Sequence, residues 1–488
     1  MGIIRNQSIK NSINLYLGVI IGAINTILVF PFVFEEHPEY WGLLQLLVSY
    51  SVVFSSFSHF GSPQILIRYF PFFKIKEKLV SFTLILTLLG FLLFLLFFFC
   101  FKTYLLESIA NPLLSEYNIL LVVLVFSMVF FDVFNSLSRS YLDSTTPIFL
   151  NDVFLRIITL VLLVCYHYSI IDFKQFIYFY SYAYFLKLVV LVVIQYFKQR
   201  IGMYLIWDKE SRRELIKYGL YVILGSGAAI LVSRVDIIMI EHFLDLKSVA
   251  FYGLAFFIGS VIKVPARSLT SISTPLIAKA FKDSNTEKVK EIFQKTSINL
   301  FIISMLMFLV IWLNIDDILM ILPEKFRAGK FVVLFIGLSQ VVNLACGLNG
   351  LIIINSNYYR KDLIFNLILL VLVISTNLLL IPIYGIDGAA LASLISIILH
   401  NILKLFFIYF KMNIQPFSIQ TIKVILLSGL IFICLNFLPA IENNFLSIAI
   451  KSTAILLLYV SSVLGFKLSS DINDYYSQLK SKFNELLR

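Results

Sequence analysis

The chain has 488 residues, of which 60% are hydrophobic and only 14% charged. A soluble protein carries about a quarter of its residues as charges, so a water-solvated globule is excluded, and the mean hydropathy of +0.93 agrees. The net charge of +11 comes without any basic block interleaved with aromatics. Nucleic acid is therefore excluded as a partner, and the surplus fits the cytoplasmic loops of a membrane protein.

A spanning helix needs about 20 mostly apolar residues. The basic segment Met1–Lys10 leads into the first such stretch, Asn11–Phe34. That stretch is too long for a signal peptide and lacks a small-residue cleavage site, so it reads as a membrane helix. Tyr40–Phe60, Leu79–Phe101, Tyr117–Leu137, Ile148–Tyr168 and Phe176–Phe197 follow. After a polar interval come Tyr218–Phe243, Val249–Thr270, Ser297–Leu313, Phe331–Ile354, Leu363–Ile383 and Gly388–Phe410. Thr421–Leu438 and Phe445–Phe466 complete a set of fourteen. The runs are uniformly apolar, whereas the strands of a membrane barrel alternate. The expected class is an all-α integral membrane protein with 14 transmembrane helices.

Charge placement tests that count. With the N-terminus on the cytoplasmic side, 25 of the 39 Lys and Arg fall in cytoplasmic segments, 6 in outer segments and 8 within helices. This bias places both termini in the cytoplasm, and one missed or extra helix would scramble it. The longest outer loop is Asn314–Lys330. The longest cytoplasmic loops, Lys198–Lys217 and Ser273–Thr296, are basic and expected to lie as amphipathic segments on the membrane surface.

The chain reads as duplicated. Ser8-Ile9-Lys10 matches Leu215-Ile216-Lys217, and Trp41-Gly42-Leu43 matches Tyr252-Gly253-Leu254. Pro63 matches Pro275, Ile171-Asp172 matches Ile386-Asp387, and Tyr196-Phe197-Lys198 matches Tyr409-Phe410-Lys411. The offsets stay between 207 and 215. Six helices per repeat is an even number, so both halves face the same way, related by a pseudo-twofold axis along the membrane normal. The expected organisation is an N-terminal lobe at 1–200 (helices 1–6) and a C-terminal lobe at 201–412 (helices 7–12). Residues 413–488 add helices 13 and 14 and a cytoplasmic tail.

An ionisable residue at membrane depth costs at least ~2.5 kcal/mol and usually faces a cavity or a partner. Arg156, Lys187, Arg234 and Lys263 lie deep in their helices, with Arg267 one turn beyond Lys263 on the same face. Arg267, Lys404 and Lys423 sit near helix ends, where snorkelling to the headgroups accounts for them. Asp236 is two residues after Arg234 and points to another face. The nearest acids are Asp132 and Asp152, the latter within a turn of the cytoplasmic surface; both are candidates for ion coupling. A structural ion pair is the alternative role for the four deep cations. If they face a cavity, it is net positive and its natural cargo is an anion such as a phosphate or diphosphate.

No catalytic set appears. The five histidines and four cysteines lack metal or redox spacing, and there is no P-loop and no GxSxG. The sequence implies a transporter rather than an enzyme, with no cofactor and no metal.

Two stretches resemble a known family. They are Ser233-Arg234-Val235-Asp236-Ile237-Ile238-Met239-Ile240, continuing to Val249-Ala250-Phe251-Tyr252-Gly253-Leu254-Ala255, and Ile381-Pro382-Ile383-Tyr384-Gly385-Ile386-Asp387-Gly388-Ala389-Ala390-Leu391-Ala392. Both resemble bacterial polysaccharide flippases, the Wzx-type O-antigen flippases of the multidrug/oligosaccharidyl-lipid/polysaccharide (MATE-like) exporter superfamily. The resemblance covers the whole chain in length, helix count and repeat. It implies a flippase that moves undecaprenyl-diphosphate-linked oligosaccharide across the bacterial inner membrane by alternating access between two lobes. On that pattern Arg234 and Lys263, with Arg156, Lys187, Asp236 and Arg267 beside them, bind substrate. Membrane lipids, H+ or Na+ as coupling ion, and a polysaccharide polymerase and chain-length regulator are the further partners it implies. Where the similar lipid II flippases carry an Arg-Asp feature in helix 1, this chain has only Asn14, Tyr16 and Asn25. The competing functions are a MATE-type drug/cation antiporter and a membrane-embedded polymerase or glycosyltransferase. The last usually needs a sizeable outer loop, which is lacking here.

Overall fold

The computed structural model describes residues 2–109, 112–198, 209–436 and 442–486, and all regular structure among them is helical. In a bilayer every backbone N–H and C=O must be satisfied within the segment, and helices do this without neighbours. Thirteen of the described helices are long and apolar enough to cross a membrane.

The first unit, Met1–Gly253, and the second, Leu254–Arg488, are each compact. The lobe boundary expected at 200/201 lies outside the described residues. In the first unit α1 runs from Gly2–Ala23 through a π-helical Ile24–Val29 to Phe30–Val33. Then come α2 (Pro38–Ser58), a short α3 (Ser62–Tyr69), α4 (Lys76–Ile109) and α5 (Pro112–Ser140). The helix α6 joins Thr145–Ile148, a π-helical Phe149–Phe154 and Leu155–His167; α7 is Phe173–Phe197 and α8 is Lys209–Phe243. The start of α7 is fixed by a capping box: the Asp172 carboxylate accepts from the Gln175 N–H, and the Gln175 side chain accepts from the Asp172 N–H.

Packing in α4 shows how one helix serves lipid and core at once. Phe91, Phe94 and Phe98 are buried, whereas Leu89, Leu93 and Leu96 are more than half exposed on the opposite side. The spacing is that of an apolar stripe facing protein and a second apolar stripe facing acyl chains.

The helix α9 (Leu246–Ser260) passes through a 3-10 turn, Val261–Lys263, before Pro265 and α10 (Ala266–Lys282). The single helix expected at Val249–Thr270 is thus two, because Pro265 has no N–H to continue the ladder. Much of the expected loop Ser273–Thr296 is helical as well: α10 ends at Lys282 and α11 (Thr286–Leu313) begins before Ser297. The expected loop Lys198–Lys217 falls partly on residues outside those described, and α8 already begins at Lys209. The short α12 (Ile315–Ile321) precedes α13 (Lys330–Ala345), which stops where the sequence expected a helix to Ile354; α14 (Asn349–Asn355) follows.

Arg360–Met412, here α15, is 53 residues long. At 1.5 Å per residue this would reach about 80 Å, far more than a ~30 Å hydrocarbon core. It does not run straight. Gly385 has φ 59° and ψ −135°, a conformation that only glycine adopts readily. Across it the Thr376 and Ser396 hydroxyls meet at 3.0 Å, and Lys404 pairs with Asp362 at 3.1 Å. The two arms therefore run antiparallel, as the separate segments Leu363–Ile383 and Gly388–Phe410 expect. The motif Ile381–Ala392 is this turn, with Ala389, Ala390 and Ala392 fully buried at the start of the returning arm. The last helices are α16 (Ile419–Asn436), α17 (Asn444–Gly465) and α18 (Ser470–Leu486). The core of the second unit centres on Phe293, Leu300 and Tyr459, whose hydroxyl donates to the Ile302 carbonyl at 3.1 Å.

The matched Trp41-Gly42 and Tyr252-Gly253 pairs have reciprocal roles. A Cβ on Gly42 would overlap the Leu246 carbonyl, and a Cβ on Gly253 would overlap the Gln45 side chain. Backbone cannot yield as a flexible side chain can. Gly42→Val is therefore expected to lower the melting temperature and the yield of folded protein sharply, through overpacking of ~1–3 kcal/mol or more. Gly429→Val, at a position with nothing within 4 Å, is the neutral control.

Candidate anion site

Three of the deep cations come together in the first unit around Tyr184 on α7. The Lys187 ammonium lies 4.8 Å from the Tyr184 ring centroid and 4.3 Å from that of Phe131. Arg156 and Arg234 are both within electrostatic reach of the Tyr184 hydroxyl. Tyr184 is 7% exposed, and its hydroxyl sits 3.4 Å from that of Tyr180, one turn back on the same face. Helices α6, α7 and α8 supply the set.

Each cation has a different environment. Lys187 is 3% exposed and donates to the Asn151 side-chain amide oxygen at 2.9 Å, with Asp132 and Asp152 within electrostatic reach. Asn151 in turn donates to Asp152 at 3.1 Å. Lys187 thus has a hydrogen-bond acceptor and two acids within reach inside the protein. Arg156 donates to the Gly18 carbonyl of α1, and Asn25 of α1 donates to the Arg156 carbonyl at 2.9 Å. Those contacts join α1 to α6 beside the π-helical stretch of each. A π-turn widens the helix and exposes backbone carbonyls, and such turns gather at functional sites. Arg156 therefore positions α1 as well as adding charge.

Arg234 is the exception. Its guanidinium faces the Tyr180 and Tyr184 hydroxyls rather than a carboxylate, and its buried Nε has no hydrogen-bond partner. Asp236 does not serve it: the Asp236 carboxylate is 7% exposed and accepts from the Tyr252 hydroxyl at 2.8 Å, tying α8 to α9. Of the remaining expected site residues, Lys263 is exposed in the 3-10 turn before Pro265, in the second unit. The side chain of Arg267 lies outside the described residues.

Three cations against Asp132 and Asp152 leave the cluster formally positive by one charge. No group of three or more His, Cys, Asp or Glu that could hold a metal occurs among the described residues. Tyr180, Tyr184 and Asn151 were not legible as site residues. Tyr180, Tyr184 and Lys187 do share one helical face by spacing, but α7 is so rich in aromatics that this face does not stand out. The snorkelling assigned to Lys404 is corrected by its burial, at 7% side-chain exposure, and its pairing with Asp362.

Comparisons with known proteins agree with this architecture. The family model described as polysaccharide biosynthesis protein matches residues 8–281. The MatE model matches residues 222–384. An uncharacterized membrane protein of Methanocaldococcus jannaschii is 22% identical, covering 90% of this chain and 91% of its own. Among solved structures, an inward-facing multidrug resistance MATE family transporter of the MOP superfamily aligns with a TM-score of 0.64 at 15% identity, covering 83% of this chain and 98% of that one. A Vibrio cholerae MATE transporter aligns with a TM-score of 0.59 at 12% identity, covering 84% and 98%. These structures share the fold, and the first family model matches more than half of the sequence. The chain is a multi-pass membrane protein that belongs to the polysaccharide biosynthesis protein family.

Proposed function

We propose that the chain is a flippase that carries undecaprenyl-diphosphate-linked oligosaccharide repeat units across the bacterial inner membrane, for assembly of a surface polysaccharide. The observation that carries this is Arg234, a guanidinium at membrane depth with an orphan Nε and no carboxylate partner. A half-buried cation persists in such a place only if an anion visits it or the fold tolerates its desolvation. The diphosphate is the anion that lipid-linked saccharides offer, and guanidinium recognises phosphate through paired N–H donors. Two six-helix lobes, 1–200 and 201–412, rock about the site in alternating access. Both termini lie in the cytoplasm. Lys263 and Arg267 are further cations that meet the substrate, while Asp132 and Asp152 are the groups through which H+ or Na+ couples. A polysaccharide polymerase and a chain-length regulator take up the product.

A cation antiporter of the MATE type is the competing function. Glu241 favours it: this carboxylate is 5% exposed and its Oε2 has no partner. Deleting the gene in its native host separates the two. Loss of surface glycan, with full-length lipid-linked repeat units accumulating on the cytoplasmic side, supports the flippase. Normal glycan with new sensitivity to cationic drugs supports the antiporter instead.

A further inference from the structure

We infer that Tyr180 and Tyr184 are the specificity-determining donors of the Arg234 site, selecting a phosphate ester or diphosphate over a carboxylate. This rests on the flippase function proposed for the same site.

The argument is a count of protons. Two phenols hold two hydroxyl protons, and the Tyr180–Tyr184 pair, 3.4 Å apart, uses one of them internally. Among the described residues the second proton has no acceptor. Both hydroxyls interact electrostatically with Arg234, yet neither is hydrogen-bonded to it among the described residues. The Arg234 Nε–H likewise lacks an acceptor. Two orphan donors of different types therefore lie close together at membrane depth, separated by more than a hydrogen bond. A buried donor left unpaired is unfavourable, and one inserted oxyanion satisfies both.

The shape of the donor set picks the class of anion. A guanidinium takes two oxygens of an anion along its flat edge. A carboxylate held that way offers a phenol only the remaining lone pairs of the same two oxygens, which lie in the plane of the fork. A tetrahedral phosphate group has a third oxygen, and a diphosphate has more. The Lys187 ammonium, one turn from Tyr184, donates to Asn151 at 2.9 Å and sits over the Phe131 and Tyr184 rings; as a point charge it attracts carboxylate and phosphate alike. Discrimination falls to the hydroxyls. Phenylalanine at either position keeps the ring packing and removes only the donor.

The test uses the purified full-length chain in detergent with three probes: farnesyl diphosphate, farnesoate, which carries a carboxylate on the same type of tail, and inorganic pyrophosphate. The wild type is expected to bind farnesyl diphosphate at least about tenfold more tightly than farnesoate, the worth of one hydrogen bond to a charged group. Whichever of Tyr184→Phe and Tyr180→Phe removes the hydroxyl that donates to the anion weakens the diphosphate by about tenfold, and neither changes farnesoate. Tyr182→Phe, on the exposed side of α7 at 49% exposure, changes neither. Pyrophosphate binding as tight as farnesyl diphosphate assigns the site to a free anion, and weaker binding assigns it to a lipid-linked one; the tyrosine effect is expected with either. If Arg234→Gln abolishes binding while both Phe variants keep the wild-type selectivity within twofold, the tyrosines only pack and the inference falls. If Arg234→Gln leaves binding unchanged, or the wild type binds no phosphate probe, the underlying site assignment falls and takes the inference with it.

Discussion

Arg234→Ala abolishes most transport while leaving the protein folded. In a deletion strain complemented with the variant, surface glycan export is expected to fall by about tenfold to a hundredfold, the value of a charge-assisted contact of roughly 1.5–3 kcal/mol. Arg234→Lys keeps the charge and loses the planar fork, so it should recover only part of the activity. The stability expectation has the opposite sign. The guanidinium has no carboxylate partner and its Nε is orphaned, so removing it removes desolvation without breaking a pair. The melting temperature in detergent should stay level or rise. A variant that loses transport and stability together would show that Arg234 is a structural cation.

Lys404→Ala behaves in the reverse way. Lys404 and Asp362 are 7% and 17% exposed at the side chain and meet at 3.1 Å, with Asn366 donating to the other Asp362 oxygen. Removing one partner strands a charge inside the hairpin of α15, a loss of about 3–5 kcal/mol. The expected result is a large fall in melting temperature and in yield. The double variant Lys404→Met with Asp362→Leu removes both charges and should recover most of that stability. Thermal unfolding of the wild type, Lys404→Met, Asp362→Leu and the double variant gives the coupling directly. Equal losses in the single and double variants would mean that packing of the lysine stem, not the ion pair, holds the hairpin.

These two lysine and arginine sites show what the sequence makes legible. Depth is readable from apolar runs, because the bilayer imposes a length that hydropathy reports. Deep cations were therefore visible, and Arg156, Lys187 and Arg234 do converge. Their partners were not visible, because pairing is set across helices: Lys187 meets Asn151 36 positions away, and Lys404 meets Asp362 42 positions away. Window hydropathy also cannot see a break inside an apolar run. Val249–Thr270 and Phe331–Ile354 read as single helices, although Pro265 ended the first by removing a backbone donor and the second divides after Ala345. The hairpin at Gly385 was legible as two spans. The reason for its motif was not, since a glycine's φ leaves no trace in composition.

The most direct test of the central claim is flipping in proteoliposomes. The purified chain is reconstituted with a fluorescent polyprenyl-diphosphate-linked oligosaccharide, and the fraction reachable by an impermeant quencher or glycosidase is followed in time. Wild-type protein is expected to make nearly all of the glycolipid reachable from one side, at a rate that drops by about tenfold or more in Arg234→Ala. A rate equal to that of protein-free liposomes, or one indifferent to Arg234, would contradict an anion-carrying flippase.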